Sequence, residues 1–145
     1  MTALNGSAPT VLLVEDDQFI RLSTSDVLRD YGWSVIEADC ASAAVAALES
    51  GEPVDLVFSD IQMPGEMNGV GLARWLRQHR PAIRVLLTSG GVHSVDPTIC
   101  DGPLIPKPYR PDELVERIRQ YLRPTGTLGP RYGNAKGDAG SPSSG

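Results

Sequence analysis

The 145-residue sequence predicts an α/β protein built on a doubly wound, five-stranded parallel sheet. Three observations carry that expectation. Short unbroken apolar runs recur along the chain, segments of helical period separate them in strict alternation, and the residues closing the runs are polar. Strands of a parallel sheet are buried on both faces, so they read as continuous Val, Ile and Leu rather than as an apolar–polar alternation. Runs of this kind alternating with helices imply a sheet covered on both sides.

In chain order, strands are expected at Val11–Val14, Ser34–Ile36, Val54–Phe58, Val85–Leu87 and Leu104–Ile105. Helical faces lie between them. Ile20, Thr24, Val27, Leu28 and Tyr31 share the first, and Ala41, Ala44, Val45 and Leu48 the second. Leu72, Ala73 and Leu76 share the third, and Leu114, Val115, Ile118 and Leu122 the last. Gly32 and Gly51 stand where helices should stop, and Pro111 where the last one should start. Right-handed crossovers leave few strand orders, among them the flavodoxin-like order 2-1-3-4-5 expected here. Between residues 87 and 104, two leading glycines (Gly90, Gly91) and Pro97 predict a shortened or irregular fourth helix.

After Leu122 the periodicity ends, and six Gly, three Pro and three Ser among the last 22 residues favour an unfolded chain. The expected organisation is a disordered N-terminal segment over 1–9, one domain over 10–123 and a disordered tail over 124–145.

Composition removes several function classes. Thirteen Lys+Arg against eighteen Asp+Glu give a net charge of −5, without the basic footprint of a nucleic-acid binder. Cys40 and Cys100 lack a neighbouring Cys or His at ligand spacing, which argues against a disulfide framework or a zinc site and for reduced, inert thiols. His79 and His93 read as ordinary surface residues, and Trp33 and Trp75 as packing residues. No apolar run approaches the roughly 20 residues of a membrane span, and the N-terminus lacks a signal sequence. No membrane partner and a cytoplasmic location are therefore expected.

In an open parallel sheet, ligands bind beyond the carboxyl ends of the strands. There the first run meets Glu15-Asp16-Asp17, the third Ser59-Asp60, the fourth Thr88-Ser89-Gly90 and the fifth Pro106-Lys107-Pro108. Clustered carboxylates repel one another unless a cation joins them. Carboxylate oxygens with room for water suit Mg²⁺, and a cation beside Lys107 would attract a phosphoryl group. Phosphoryl transfer requires mainly positioning and charge neutralisation, and an Asp carboxylate can itself be the nucleophile.

Val11-Leu12-Leu13-Val14-Glu15-Asp16-Asp17, Phe58-Ser59-Asp60-Ile61-Gln62-Met63-Pro64, Ser89-Gly90 and Lys107-Pro108-Tyr109 together resemble the signature of bacterial response-regulator receiver domains. The resemblance spans about Thr10 to Arg123. It implies that Asp60 is the phosphoacceptor. It also implies that Glu15, Asp16, Asp60 and the backbone carbonyl of Gln62 hold Mg²⁺, that Lys107 contacts a phosphoryl oxygen, and that the Lys107–Pro108 bond is cis. Asp17, one position beyond the acidic pair, is expected to start the first helix. Gly90 selects Ser89 over the adjacent Thr88 as the switch hydroxyl, since the family follows that hydroxyl with a small residue. The implied partners are a histidine kinase or a histidine phosphotransfer protein, and a downstream protein.

The sequence departs from the family pattern in two places. The loop Met63–Gly69 is one residue longer than the commonest form. Leu104 stands where family members often carry an aromatic that moves with the switch hydroxyl, so any change is expected to stay mostly between Gly90 and Pro103. The chain ends soon after the last helix, so a single-domain regulator is expected, or a domain taken from a larger protein.

Three competing readings apply. A constitutive interaction module of the same fold is kept open by Leu104 and the Gly/Pro-rich segment before it. An Mg²⁺-dependent aspartyl phosphatase would want a second acid two residues after its nucleophile, where this chain has Gln62. A nucleotide-binding domain would need a glycine-rich loop where the three acids stand.

Overall fold

The computed structural model describes residues 8–91 and 95–122. The two expected disordered ends fall almost wholly outside the described residues, as does His93. Among the described residues there are five parallel strands and four helices, in the order β1 (Thr10–Val14), α1 (Gln18–Tyr31), β2 (Ser34–Ala38), α2 (Ala41–Glu49), β3 (Leu56–Asp60), α3 (Gly69–His79), β4 (Arg84–Ser89), β5 (Ile105–Pro106) and α4 (Pro111–Tyr121). The strand order is β2-β1-β3-β4-β5, as the alternation and crossover rules predict. β1, between β2 and β3, places Leu12 opposite Ile36 on one side and Val57 on the other.

Successive side chains of a strand point to opposite faces, which sorts the apolar runs into two cores. Leu12, Val14, Val57, Val85 and Leu87 pack with α2 and α3, whereas Val11, Leu13, Leu56, Phe58, Leu86 and Ile105 pack with α1 and α4. Burial of each such Leu contributes about 1.5–3 kcal/mol relative to exposure. The helix ends carry the expected signals. The Asp17 carboxylate caps α1 by accepting from Ile20 N–H at 3.0 Å, and Gly32 ends that helix at φ 118°, in the left-handed region. Asn68 caps α3 through Gly71 N–H at 2.9 Å, and Pro111 opens α4.

Three local readings are corrected. β3 and β4 run on through Ser59-Asp60 and Thr88-Ser89, because these polar residues are buried and complete the ladder: Asp60 pairs with Thr88 in register. β5 begins at Ile105, and Leu104 packs against the opposite core, the one that holds Leu12, Val85 and Leu87. On α1, Tyr31 is half exposed against Trp33, their ring centroids 4.5 Å apart, and the buried positions are Thr24, Ser25 and Leu28.

Among the described residues no helix lies between β4 and β5. A single turn at Asp96–Ile99 takes its place, with Ile99 N–H donating to Asp96 O at 3.2 Å. Asp101 fastens this segment to β4. Its N–H donates to Val85 O at 2.8 Å, its carboxylate accepts from Val85 N–H at 2.6 Å, and Arg77 and Arg84 pair with it at 3.0 and 3.5 Å. Among the described residues, no helix is long and apolar enough to cross a membrane.

Candidate functional site

The carboxyl ends of β1, β3, β4 and β5 form one rim. Glu15 follows β1 directly, and its N–H donates to Ala38 O at 3.0 Å. Asp60 closes β3. Lys107 follows β5, where its N–H donates to Ser89 O at 2.9 Å. One carboxylate oxygen each from Glu15, Asp16 and Asp60 lies within 4.8 Å of the others. The Lys107 ammonium bridges two of these acids, at 2.7 Å from Glu15 Oε1 and 2.9 Å from Asp60 Oδ2. Glu15 and Asp60 are 2% and 5% exposed, while Asp16 faces solvent. The rim is thus a buried pair of acids with one wet side.

Backbone groups fix each acid. Gln62 N–H donates to Asp60 Oδ1 at 3.1 Å, which brings the Gln62 peptide beside Asp60, and Asp17 N–H donates to Glu15 Oε2 at 3.1 Å. Burial pushes the Glu15 carboxyl above its ordinary value, with the Lys107 hydrogen bond working against that rise. Burial alone would lower the Lys107 ammonium; the hydrogen bonds to Glu15 and Asp60 outweigh it and hold the group above its usual value. Three carboxylates face one ammonium, and the donor atoms are all hard oxygens open to water on one side. That donor set suits a divalent cation of the Mg²⁺ kind.

The two hydroxyls of β4 differ in their partners. Thr88 Oγ1 donates to Ile105 O at 2.6 Å, which ties it into the sheet. Ser89 Oγ accepts from Gly91 N–H at 3.1 Å, one residue beyond the level of Asp60 on the adjacent strand. Among the described residues, a β-carbon on Gly90 would meet only Lys107 Cβ, at 4.0 Å, so this position leaves space beside the base of the Lys107 side chain. The Lys107–Pro108 bond is cis, as expected from the resemblance.

Three further residues support the site; Tyr109 stands in the Lys107-Pro108-Tyr109 motif, whereas Gly69 and Arg21 carry no sequence signal of their own. Gly69 presses its α-carbon against the end of β3: a β-carbon there would collide with Asp60 O and stand 2.7 Å from Ile61 Cα. Tyr109 lies edge-on to Phe58, with ring centroids 5.6 Å apart, and its hydroxyl shares a hydrogen bond with Thr24 Oγ1 at 3.0 Å. Arg21 reaches back from α1 to the Glu15 carbonyl at 2.9 Å. A glycine in a loop and an arginine early in a helix look the same whether they support a site or face water. His79 stacks on Trp75 at the end of α3, and Cys40 and Cys100 are free.

Comparison with known proteins agrees with this geometry. A family model described as the response regulator receiver domain matches residues 11–119. The chain is 36% identical over 126 residues to the sensor kinase CckA of Brucella abortus, covering 83% of this chain and 13% of that protein. It is 32% identical over 130 residues to the probable transcriptional regulatory protein TcrX of Mycobacterium tuberculosis, covering 87% and 55%. The chain therefore spans from about an eighth to about half of the relatives it matches. Among solved structures, a CheY-like response regulator receiver domain from Methanospirillum hungatei shares 29% identity at a TM-score of 0.73, over 80% of this chain and 94% of that one. The response regulator TrrA of Thermotoga maritima, in complex with Mg(2+)-BeF, shares 25% identity at a TM-score of 0.71, over 78% and 98%.

Proposed function

The chain belongs to the response regulator receiver family, and on that premise we propose that Asp60 is the phosphoacceptor of a two-component switch whose domain is residues 10–123. One observation carries the reading: Lys107 Nζ joins Glu15 and Asp60, two acids 45 residues apart in sequence, at a rim that also holds Asp16. Glu15, Asp16, Asp60 and the Gln62 carbonyl are the groups that would hold Mg²⁺. When bound, that ion neutralises charge on a transferring phosphoryl group.

An Asp60 carboxylate oxygen attacks the donor phosphorus, the donor's bond to phosphorus breaks, and the leaving group departs with the electron pair and takes up a proton. The single negative charge of Asp60 becomes about two, with new acceptor oxygens. In this reading Lys107 and Ser89 follow those oxygens. Ser89 already holds Gly91 N–H, so its movement draws on the segment after β4 and biases an interaction surface. A histidine kinase or phosphotransfer protein as donor, a downstream protein as partner and a cytoplasmic location belong to the same proposal. The phosphatase reading is disfavoured by Gln62, which can neither give nor take the proton such an enzyme requires.

Incubation with Mg²⁺ and acetyl phosphate, followed by intact-mass measurement, tests the reading. One adduct of about 80 Da per chain is expected, absent in Asp60→Asn. An adduct that persists in Asp60→Asn overturns it.

A further inference from the structure

We infer that Arg21 is a positioning residue for the cation pocket, held in place by Glu37 of β2; the inference rests on the function proposed above. Arg21 Nη1 donates to Glu15 O at 2.9 Å while Nε donates to Glu37 Oε1 at 3.3 Å. The second Glu37 oxygen accepts from Ser25 Oγ at 2.9 Å and from Arg29 Nη1 at 3.2 Å. The Arg21 and Glu37 side chains are only 16% and 22% exposed.

Stability alone is a poor reason for this network. Withdrawing a charged pair from water offsets most of its attraction, and apolar residues of similar volume often serve as well. Glu37 also has Arg29 as a second cation, so Arg21 is not needed to neutralise it. What Arg21 alone provides is a planar fork with one prong on β2 and the other on the peptide that joins Glu15 to Asp16. Glu15 N–H is already tied to Ala38 O, so with Arg21 both polar groups of the Glu15 backbone are referred to β2. A peptide unit is planar, so fixing the Glu15 carbonyl also fixes the plane from which Asp16 departs. Asp16 is the exposed member of the acidic trio, and its placement depends most on that plane. Arg21 bonds the Glu15 backbone carbonyl rather than its carboxylate, so its effect on the pocket is one of position.

Calorimetric Mg²⁺ titration of the full chain, beside thermal melting in chelator, tests the inference. Removing groups that orient metal ligands typically weakens binding about 10–100-fold. Arg21→Met is expected to raise the Mg²⁺ dissociation constant about tenfold or more. Arg21→Lys should recover part of the loss, and Glu37→Gln, which leaves the guanidinium uncompensated and looser, should produce a smaller rise. A folded Arg21→Met that binds Mg²⁺ within about twofold of the parent overturns the inference, since a merely structural arginine would move only the melting temperature. If Arg21→Met shows no cooperative melting, Glu37→Gln decides: parent-like affinity overturns the inference and weaker binding supports it. A parent chain that binds no Mg²⁺ at millimolar concentration overturns the underlying function as well, a result distinct from parent-like binding in the variants.

Discussion

Gly69 sits at the first position of α3, and its α-carbon lies against backbone that cannot rotate away, the Asp60 carbonyl and Ile61 Cα. Alanine is the better helix former by about 1 kcal/mol, yet the added methyl would have to push the end of β3 aside. Overpacking of this kind costs about 1–3 kcal/mol, so Gly69→Ala should lower the urea midpoint and slow labelling of Asp60 together. A variant as stable as the parent would show that the two backbones can part freely. At Tyr109, burial raises the phenol above its ordinary value and the hydroxyl meets Thr24. A raised value favours the protonated form in the folded state. Its contribution is therefore full below the unfolded value, near 10, and is lost as pH rises through the higher folded value. Tyr109→Phe should be less stable than the parent by about 0.5–1.5 kcal/mol at neutral pH, for want of the hydrogen bond. That gap should narrow in denaturant titrations at pH about 10.5, above the ordinary phenol value; a gap constant with pH would refute the assignment.

At the scale of elements, the segment between β4 and β5 depends on Asp101 where a helix would otherwise supply contacts. Asp101→Ala leaves Val85 N–H without its carboxylate and frees Arg77 and Arg84. Orphaning a buried donor costs about 1–3 kcal/mol, so unfolding should shift by that amount and the Val85 amide should lose hydrogen-exchange protection. Unchanged protection at Val85 would mean that the backbone pairing alone holds the segment. Asp101 also marks where sequence reasoning stops, because a lone acid in a Gly/Pro-rich stretch has no period that reveals its partner. The strands themselves were legible, since Val11–Val14 and Val85–Leu87 are apolar on both faces. Their carboxyl ends were not, because Ser59-Asp60 and Thr88-Ser89 are buried polar residues and an apolar pattern ends where they begin. The rim was readable from the residues that close each run. Its support was not: Arg21 and Ser25 turn inward on α1 only because Glu37, on another strand, meets them.

Across the whole molecule, folding brings three acids to one rim in a chain that already carries −5. The repulsion of Asp60 by Glu15 and Asp16 belongs to the folded state alone, since Asp60 is far from both in an extended chain. Any cation that binds the folded rim and not the unfolded chain stabilises the fold by mass action, by about 2.7 kcal/mol at a hundredfold excess over its dissociation constant. Lys107 already sits on the two buried acids, so it relieves the same repulsion that a divalent ion would. Two cations relieving one repulsion cannot act additively. In chelator, Lys107→Met should melt below the parent, because breaking a buried pair leaves Glu15 and Asp60 uncompensated. Saturating Mg²⁺ should then raise the melting temperature of Lys107→Met by more than it raises that of the parent. An equal or smaller rise in the variant would show that the ammonium and the divalent ion act on separate parts of the rim.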